Sequence, residues 1–310
     1  MAIFHLKINP IKRSLGQKAT AAAAYRAGER IHDQRTDTVH DHSRRSDVTH
    51  KEILLPSQLE ASPLEWARDR KSLWNTAERA EGRKTSRVAR EFQVTLPSEL
   101  APERRQALAR TFARELADRY GVAIDLAIHD PKPGGDPRNF HAHFLATTRE
   151  VTPEGLGQKA GLDMQAVKRA SLGLPDHSEE YTAVRARWAA VANEALREAG
   201  IEERIDHRSL AAQGIDRQPV VHVPMEFYRW KGVDAEKLAH IREDYRARVA
   251  ARRESSNQTV QTQEVDPRNI EEIRRRAVQS WLQMRSKGVE QESTQTQARQ
   301  ERSKDRENER

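Results

Sequence analysis

Apolar positions along the chain fall into short periodic segments divided by polar, Pro- and Gly-bearing stretches. Ile3-Phe4-His5-Leu6-Lys7-Ile8 predicts a short strand, ended by Pro10 and the basic turn behind it. Residues 17–31 predict a helix, because 19–27 is dominated by alanine, the best helix former. Residues 32–50 are polar and read as loop, and 48–55 as a strand stopped by Pro56. Ser62-Pro63-Leu64-Glu65 offers a cap and a proline at the first helical position, so a helix should run to about Ala80. Leu64, Trp66, Leu73, Trp74 and Ala77 would form its buried side. Residues 88–96 read as a strand and 102–120 as an amphipathic helix ended by Gly121. Residues 122–129 and 139–148, joined by the Pro/Gly loop 130–138, predict an antiparallel hairpin. Residues 150–178 offer one short helix, 179–199 a helix ended by Gly200, and 204–214 a polar connection.

Beyond that point the pattern changes. Residues 224–253 read as a highly charged helix. Ile270, Ile273, Ala277, Trp281 and Met284 form a stripe at helical spacing, and 288–310 hold almost nothing apolar, which predicts disorder. The expected organisation is a mixed strand–helix globular unit over 1–220, a charged helical extension over 221–287 and a disordered tail over 288–310.

Composition agrees with that division. Of 310 residues, 36% are hydrophobic and 33% charged, which argues against one core filling the whole chain. The formal net charge of +7 is a small difference between 54 basic and 47 acidic residues, so its distribution matters more. Residues 1–30 carry Lys7, Lys12, Arg13, Lys18, Arg26 and Arg30 against Glu29 alone. The window 82–90 carries Arg83, Lys84, Arg87 and Arg90 with no acid. Such surpluses suit an anionic partner such as nucleic acid, although any single run is more often a solvated face. With no cysteine, disulfides, thiolate metal sites and cysteine nucleophiles are excluded. No apolar run is long enough to span a bilayer, and the N-terminus lacks a signal-peptide apolar region, so a soluble intracellular protein without membrane insertion is expected. No P-loop, Rossmann fingerprint or Gly-x-Ser-x-Gly occurs, which leaves a nucleotide-driven motor or serine hydrolase without support.

Candidate chemistry centres on Asn139-Phe140-His141-Ala142-His143-Phe144. On a strand, His141 and His143 share a face about 7 Å apart. A lone His-x-His occurs often by chance. His129 at the end of the preceding strand can complete a set of three neutral donors with open metal positions. Tyr25 stands in the Ala-rich helix, where a tyrosine usually packs. Lys18, Arg26 and Arg30 put positive charge around it that could hold a phosphate or favour the phenolate. Tyr181, on a helix after the histidines, is its rival. Glu91 and Gln93 share one face of their strand, opposite Phe92 and Val94, so Glu91 is either a solvent-facing residue or a group that orients a histidine or accepts a proton.

Taken together these segments resemble the MobA/MobL family of plasmid mobilisation relaxases. Ala-Ala-Tyr-Arg-Ala-Gly-Glu at 23–29 resembles its nucleophile segment, and Arg90-Glu91-Phe92 through Leu96-Pro97 its acidic motif. Ala127-Ile128-His129-Asp130 and Gly135-Asp136-Pro137-Arg138-Asn139-Phe140-His141-Ala142-His143 resemble its three-histidine motif. Arg187-Trp188, Ala199-Gly200 and Asp206-His207-Arg208-Ser209 resemble a later segment. Gln93 departs from members that carry a second acid there. The resemblance implies an α+β fold, a central antiparallel sheet with flanking helices of the His-hydrophobe-His endonuclease type.

It further implies site- and strand-specific nicking of single-stranded DNA at an origin of transfer. Tyr25 would be the nucleophile, His129, His141 and His143 the ligands of a divalent metal (magnesium or manganese), and Glu91 an assisting base or histidine partner. Arg13, Lys18, Arg26, Arg83, Lys84 and Arg87 are candidate DNA contacts, with the loop at Arg44 and Arg45 ranked below them. Implied partners are accessory mobilisation proteins and a conjugative coupling protein with its type IV secretion system. The implied location is the bacterial cytoplasm, with transfer to the recipient on the DNA. Alternatives are a rolling-circle replication initiator using Tyr181, a metal-dependent hydrolase using water, and a non-catalytic DNA-binding mobilisation protein.

Overall fold

In the computed structural model, residues 3–215, Glu243 and Ala247 are described. The expectations for 221–287 and 288–310 therefore lie almost wholly outside the described residues. The chain divides into two units, Met1–His207 with Ala277–Arg310, and Arg208–Arg276. The second is described mainly through one 3-10 turn, Ala211–Gln213, closed by Gly214. The first holds the elements β1 (Leu6–Lys12), α1 (Ala19–Ala27), β2 (Arg30–Asp33), β3 (Thr38–Asp41), β4 (Val48–Leu54), α2 (Glu65–Arg68) and α3 (Arg70–Arg79). There follow β5 (Arg87–Thr95), α4 (Pro102–Tyr120), β6 (Ile124–His129), β7 (His141–Ala146), β8 (Arg149–Thr152), β9 (Gly155–Lys159), α5 (Ala166–Ser171) and α6 (His177–Glu198). No helix among the described residues is long and apolar enough to cross a membrane.

The expected central antiparallel sheet is present, in the order β1-β5-β7-β6-β4. Strand alternation divides its side chains between two layers. Phe92, Val94, Ile124, Leu126, Ile128, Ala142, Phe144 and Ala146 enter one core with Phe112 and Leu116 of α4 and Val184 and Trp188 of α6. Ala89, Ala123 and Leu145 point to the other side, where they meet the alanines of α1 and Leu73 and Trp74 of α3. Glu91, Asp125, His129, His141 and His143 have the parity of this second face. The small side chains of α1 let it lie close to the sheet. Gly28, in the left-handed region at φ 60°, ends it before the chain turns into β2.

Several local expectations are corrected. β1 runs through Pro10, which pairs with Arg90, because β1 is an edge strand and a missing N–H is tolerated there. α1 stops at Ala27, and β2 and β3 form a hairpin within residues expected to be helix end and loop. The helix expected from Ser62 is split into α2 and α3 at Asp69, whose carboxylate caps α3 by accepting from the Ser72 amide. β8 and β9 form a second hairpin where only a short helix was expected. α6 starts two residues early, at His177, under a capping box formed by Asp176 and Glu179. The missed strands are of four or five residues with mixed exposure, too short for alternation to stand out.

The α1/α3 side carries a buried ionic anchor. Asp125, 4% exposed, accepts from Arg70 Nε and from Trp74 Nε1, each at 2.8 Å. Arg70 also donates to Glu29 at 2.6 Å. Removing one member of a buried pair leaves the other charge stranded, at a cost of about 3–5 kcal/mol. Asp125→Ala should therefore lower the unfolding free energy by about 3 kcal/mol in urea denaturation. The double variant Asp125→Ala/Arg70→Met should recover part of that loss, and a single-variant cost within about 0.5 kcal/mol of zero would contradict the anchor.

Candidate active site

The β6–β7 hairpin brings three histidines together. His129 lies directly opposite His141, and His143 opposite Ala127. The imidazole centroids are 5.1 Å (129–141), 4.7 Å (129–143) and 5.2 Å (141–143) apart. Each ring can offer one nitrogen so that all three lie within 4.8 Å of one another, near enough for small side-chain rotations to gather them on one cation.

The remaining ring nitrogens are tied down. His141 Nδ1 donates to the Asn139 carbonyl at 3.0 Å, His143 Nδ1 to Glu91 Oε1 at 2.7 Å, and His129 Nε2 to the Arg26 carbonyl at 2.7 Å. Carbonyls and an ionised carboxylate only accept, so the tautomers follow: Nε2 of His141 and His143, and Nδ1 of His129, keep their lone pairs. Burial, helped by neighbouring His143, pulls the His129 imidazole down to about 3, so it is neutral at physiological pH. Burial also lowers His141, against the opposing hydrogen bond to Asn139. In their neutral form these rings present oriented lone pairs to one point, and the donor set fits a divalent cation.

Glu91 is 5% exposed on β5 and lies between His143 and Arg26, whose Nε also donates to it. Burial would raise its pKa. The hydrogen bonds from His143 and Arg26, with the charge of Arg26, outweigh that and hold the carboxyl well below the usual carboxylate range. A carboxylate so strongly stabilised is a poor proton acceptor. Gln93 faces His143 across β5 and β7.

Tyr25, 41% exposed, stands near the C-terminal end of α1. Its ring meets His42 edge-on at 5.3 Å, and the Arg45 guanidinium lies 4.2 Å from its centroid. Arg45 NH1 donates to the Tyr25 carbonyl at 2.7 Å, and NH2 pairs with Asp47 and reaches His129 Nδ1 at 3.3 Å. Two arginines thus tie the tyrosine segment to the histidines, Arg26 through Glu91 and the His129 ring, and Arg45 through Tyr25 and His129. Arg45 stood lowest among the candidates from sequence. Nothing local marks it, since its partner His129 is 84 residues away along the chain.

Other candidates fall elsewhere. Tyr181 accepts from Arg90 NH1 at 3.0 Å and packs against the α4/α6 core, so the sheet separates it from the histidines. The rolling-circle reading loses its nucleophile for that reason. Arg13, expected to contact DNA, is instead buried against Glu78, its side chain 7% exposed. Lys18 donates to Thr36 Oγ1 at 2.7 Å, and Arg26 is engaged by Glu91. Arg83 and Lys84 are exposed, and Arg87 lines a separate cleft with Lys12, Arg90, His177 and Tyr181.

Residues 17–231 match the model of the MobA/MobL family. The chain is 42% identical over 247 residues to mobilization protein MobL of Acidithiobacillus ferridurans, covering 72% of this chain and 62% of that protein. It is 33% identical over 253 residues to a probable mobilization protein MobA of Bifidobacterium longum, covering 72% and 43% respectively. The chain thus spans less than two thirds of the length of these relatives. A solved structure described as the molecular basis of vancomycin resistance transfer in Staphylococcus aureus superposes with a TM-score of 0.56 at 29% identity. That match covers 67% of this chain and 100% of the other. The family match takes in α1 with Tyr25, β5 with Glu91 and the whole β6–β7 hairpin, and on it the chain belongs to the MobA/MobL family.

Proposed function

We propose that this chain is the strand-cleaving part of a plasmid mobilisation relaxase, acting on one strand of DNA at an origin of transfer. The observation that carries the reading is the pair of arginine links between the Tyr25 segment and the three histidines on one face of the sheet. The names of its relatives, mobilization proteins, support the same setting.

The reaction is an in-line transesterification. Tyr25 Oη attacks the scissile phosphorus and the P–O3′ bond breaks. The phenol gives up its proton and the departing 3′ oxygen takes one up, so the charge balances. The product is a 5′-phosphotyrosyl ester, whose bond type matches the one broken. Attack by the 3′ hydroxyl on that ester rejoins the strand without nucleotide hydrolysis. A divalent metal held by His129, His141 and His143 would polarise the phosphate and stabilise its developing charge, and of the magnesium or manganese that the family resemblance implies, three imidazole nitrogens suit the transition ion better.

Glu91 acts as a positioning residue, fixing the His143 tautomer and anchoring α1 through Arg26. Half-exposed Tyr25 is open to an extended strand, and exposed Arg83 and Lys84 offer charge for its backbone. The proposal includes the division into a relaxase unit over 1–220, an extension over 221–287 and a tail over 288–310. It also includes a cytoplasmic location, accessory mobilisation proteins, and a coupling protein and type IV secretion system that move the protein with its DNA.

With an end-labelled oligonucleotide carrying the transfer origin and a divalent metal, wild type should give cleaved strand and a covalent band on a denaturing gel. Tyr25→Phe should lose both by roughly 10³-fold or more, and Tyr181→Phe should retain them. Cleavage without a covalent band would indicate attack by water. A chelator should abolish nicking and added manganese restore it. Glu91→Gln, by loosening His143, should weaken metal affinity by roughly 10–100-fold in calorimetry while strand binding persists. Unchanged metal affinity would remove the positioning role of Glu91.

A further inference from the structure

The proposed function leaves Arg45 unexplained, although it has more contacts to the site than any other residue of the loop before β4. Its guanidinium covers the Tyr25 ring at 4.2 Å, donates to the Tyr25 carbonyl at 2.7 Å, and pairs with Asp47. The same NH2 reaches His129 Nδ1 at 3.3 Å. That nitrogen is the one with a lone pair, because His129 Nε2 donates to the Arg26 carbonyl. Asp47 is fixed at the same place from the backbone side, since its carbonyl accepts from the Asp130 amide at 2.8 Å, one residue beyond His129.

A lone pair serves one electrophile at a time. A metal bonded to His129 Nδ1 and a hydrogen bond from Arg45 to the same atom exclude one another, and two cations so close repel. We infer that Arg45 competes with the metal for His129 and thereby couples occupancy of the histidine cluster to the placement of Tyr25. When His129 is taken by metal, NH2 is released from it while NH1 and the guanidinium face stay on Tyr25. The freed donor is then available beside the tyrosine for an anionic oxygen of the strand. Asp47 sets the balance: it draws the guanidinium aside and supplies a compensating negative charge next to His129. Arg45 is in this account a positioning residue for Tyr25. The inference rests on the metal reading of the three histidines and goes beyond it.

Two substitutions should act in opposite directions. Arg45→Met removes the competing donor and its charge and leaves Asp47 free, so metal should bind about tenfold more tightly. Asp47→Asn keeps the competitor and removes the anion that restrains it, so metal should bind more weakly. The probe is Zn²⁺ alone, which suits imidazole donors and is diamagnetic. Affinity is read by calorimetry on the full chain, with circular dichroism verifying the fold of each variant.

Placement of Tyr25 is read separately, by ¹⁹F NMR of 3-fluorotyrosine protein with the Tyr25 signal assigned through Tyr25→Phe. Zn²⁺ should move that signal in wild type, and most of the displacement should vanish in Arg45→Met. Zn²⁺ affinities equal across the three proteins, or a Tyr25 displacement of full size in Arg45→Met, would overturn the coupling while leaving the metal site standing. A wild-type chain that binds no Zn²⁺ would overturn both the coupling and the three-histidine metal site.

Discussion

A carboxylate buried on a sheet face must be neutralised where it stands, and the geometry around Glu91 is built on that requirement. Two donors meet it, the Nδ1–H of His143 from the next strand and the guanidinium of Arg26 from α1. Each bond has a consequence beyond satisfying the charge. The first fixes the His143 tautomer and leaves Nε2 for the cluster. The second holds the end of α1 on the sheet, so that the Arg26 carbonyl reaches His129 and Tyr25 is set at the rim. One desolvated charge thus connects the helix that carries the tyrosine to the strands that carry the histidines.

The two faces of the sheet are organised by different physics. The α4/α6 face is mainly apolar and aromatic, with Phe112 edge-on to Phe144 at 5.4 Å and tilted against Trp188 at 5.1 Å, and its few buried charges are paired, Arg90 with Asp163 and Arg119 with Glu180. It supplies the hydrophobic stabilisation. The α1/α3 face has few large apolar sheet residues and several polar ones, which is affordable only because nearly every polar group is paired. Asp125 with Arg70 and Trp74, and Glu91 with Arg26 and His143, are examples. A chemical site can be placed on this face because the opposite face carries the packing. The same separation puts Tyr181 out of reach of the histidines and leaves Tyr25 on their side.

How far the site could be read from sequence depends on how local each signal is. His141 and His143 are two residues apart, and strand alternation alone puts them on one face. His129 joins them because a hairpin across 130–138 is the simplest pairing, and the register sets it directly opposite His141. α4 was legible to its end residues, since Pro102 and Gly121 mark both ends of a long amphipathic run. Arg13 looked like a DNA contact because the basic surplus of residues 1–30 ignores pairing across space. Glu78, 65 positions away, neutralises it. The surplus around Tyr25 is accordingly smaller in the fold than in the sequence, and Arg26 belongs to Glu91 before it belongs to any phosphate.

Contiguous residues were enough for a mixed strand–helix unit, the antiparallel β6–β7 hairpin and three histidines at usable spacing, because periodicity and spacing are local signals, while Glu91 and the Tyr25 segment were marked only by the resemblance to the MobA/MobL family. The order of the strands, the side of the sheet on which α1 lies, and the role of Arg45 were decided only in three dimensions. They depend on which buried charge finds which partner, and those partners stand tens of residues apart. Local propensity cannot express such a pairing, whereas desolvation enforces it once the chain is packed.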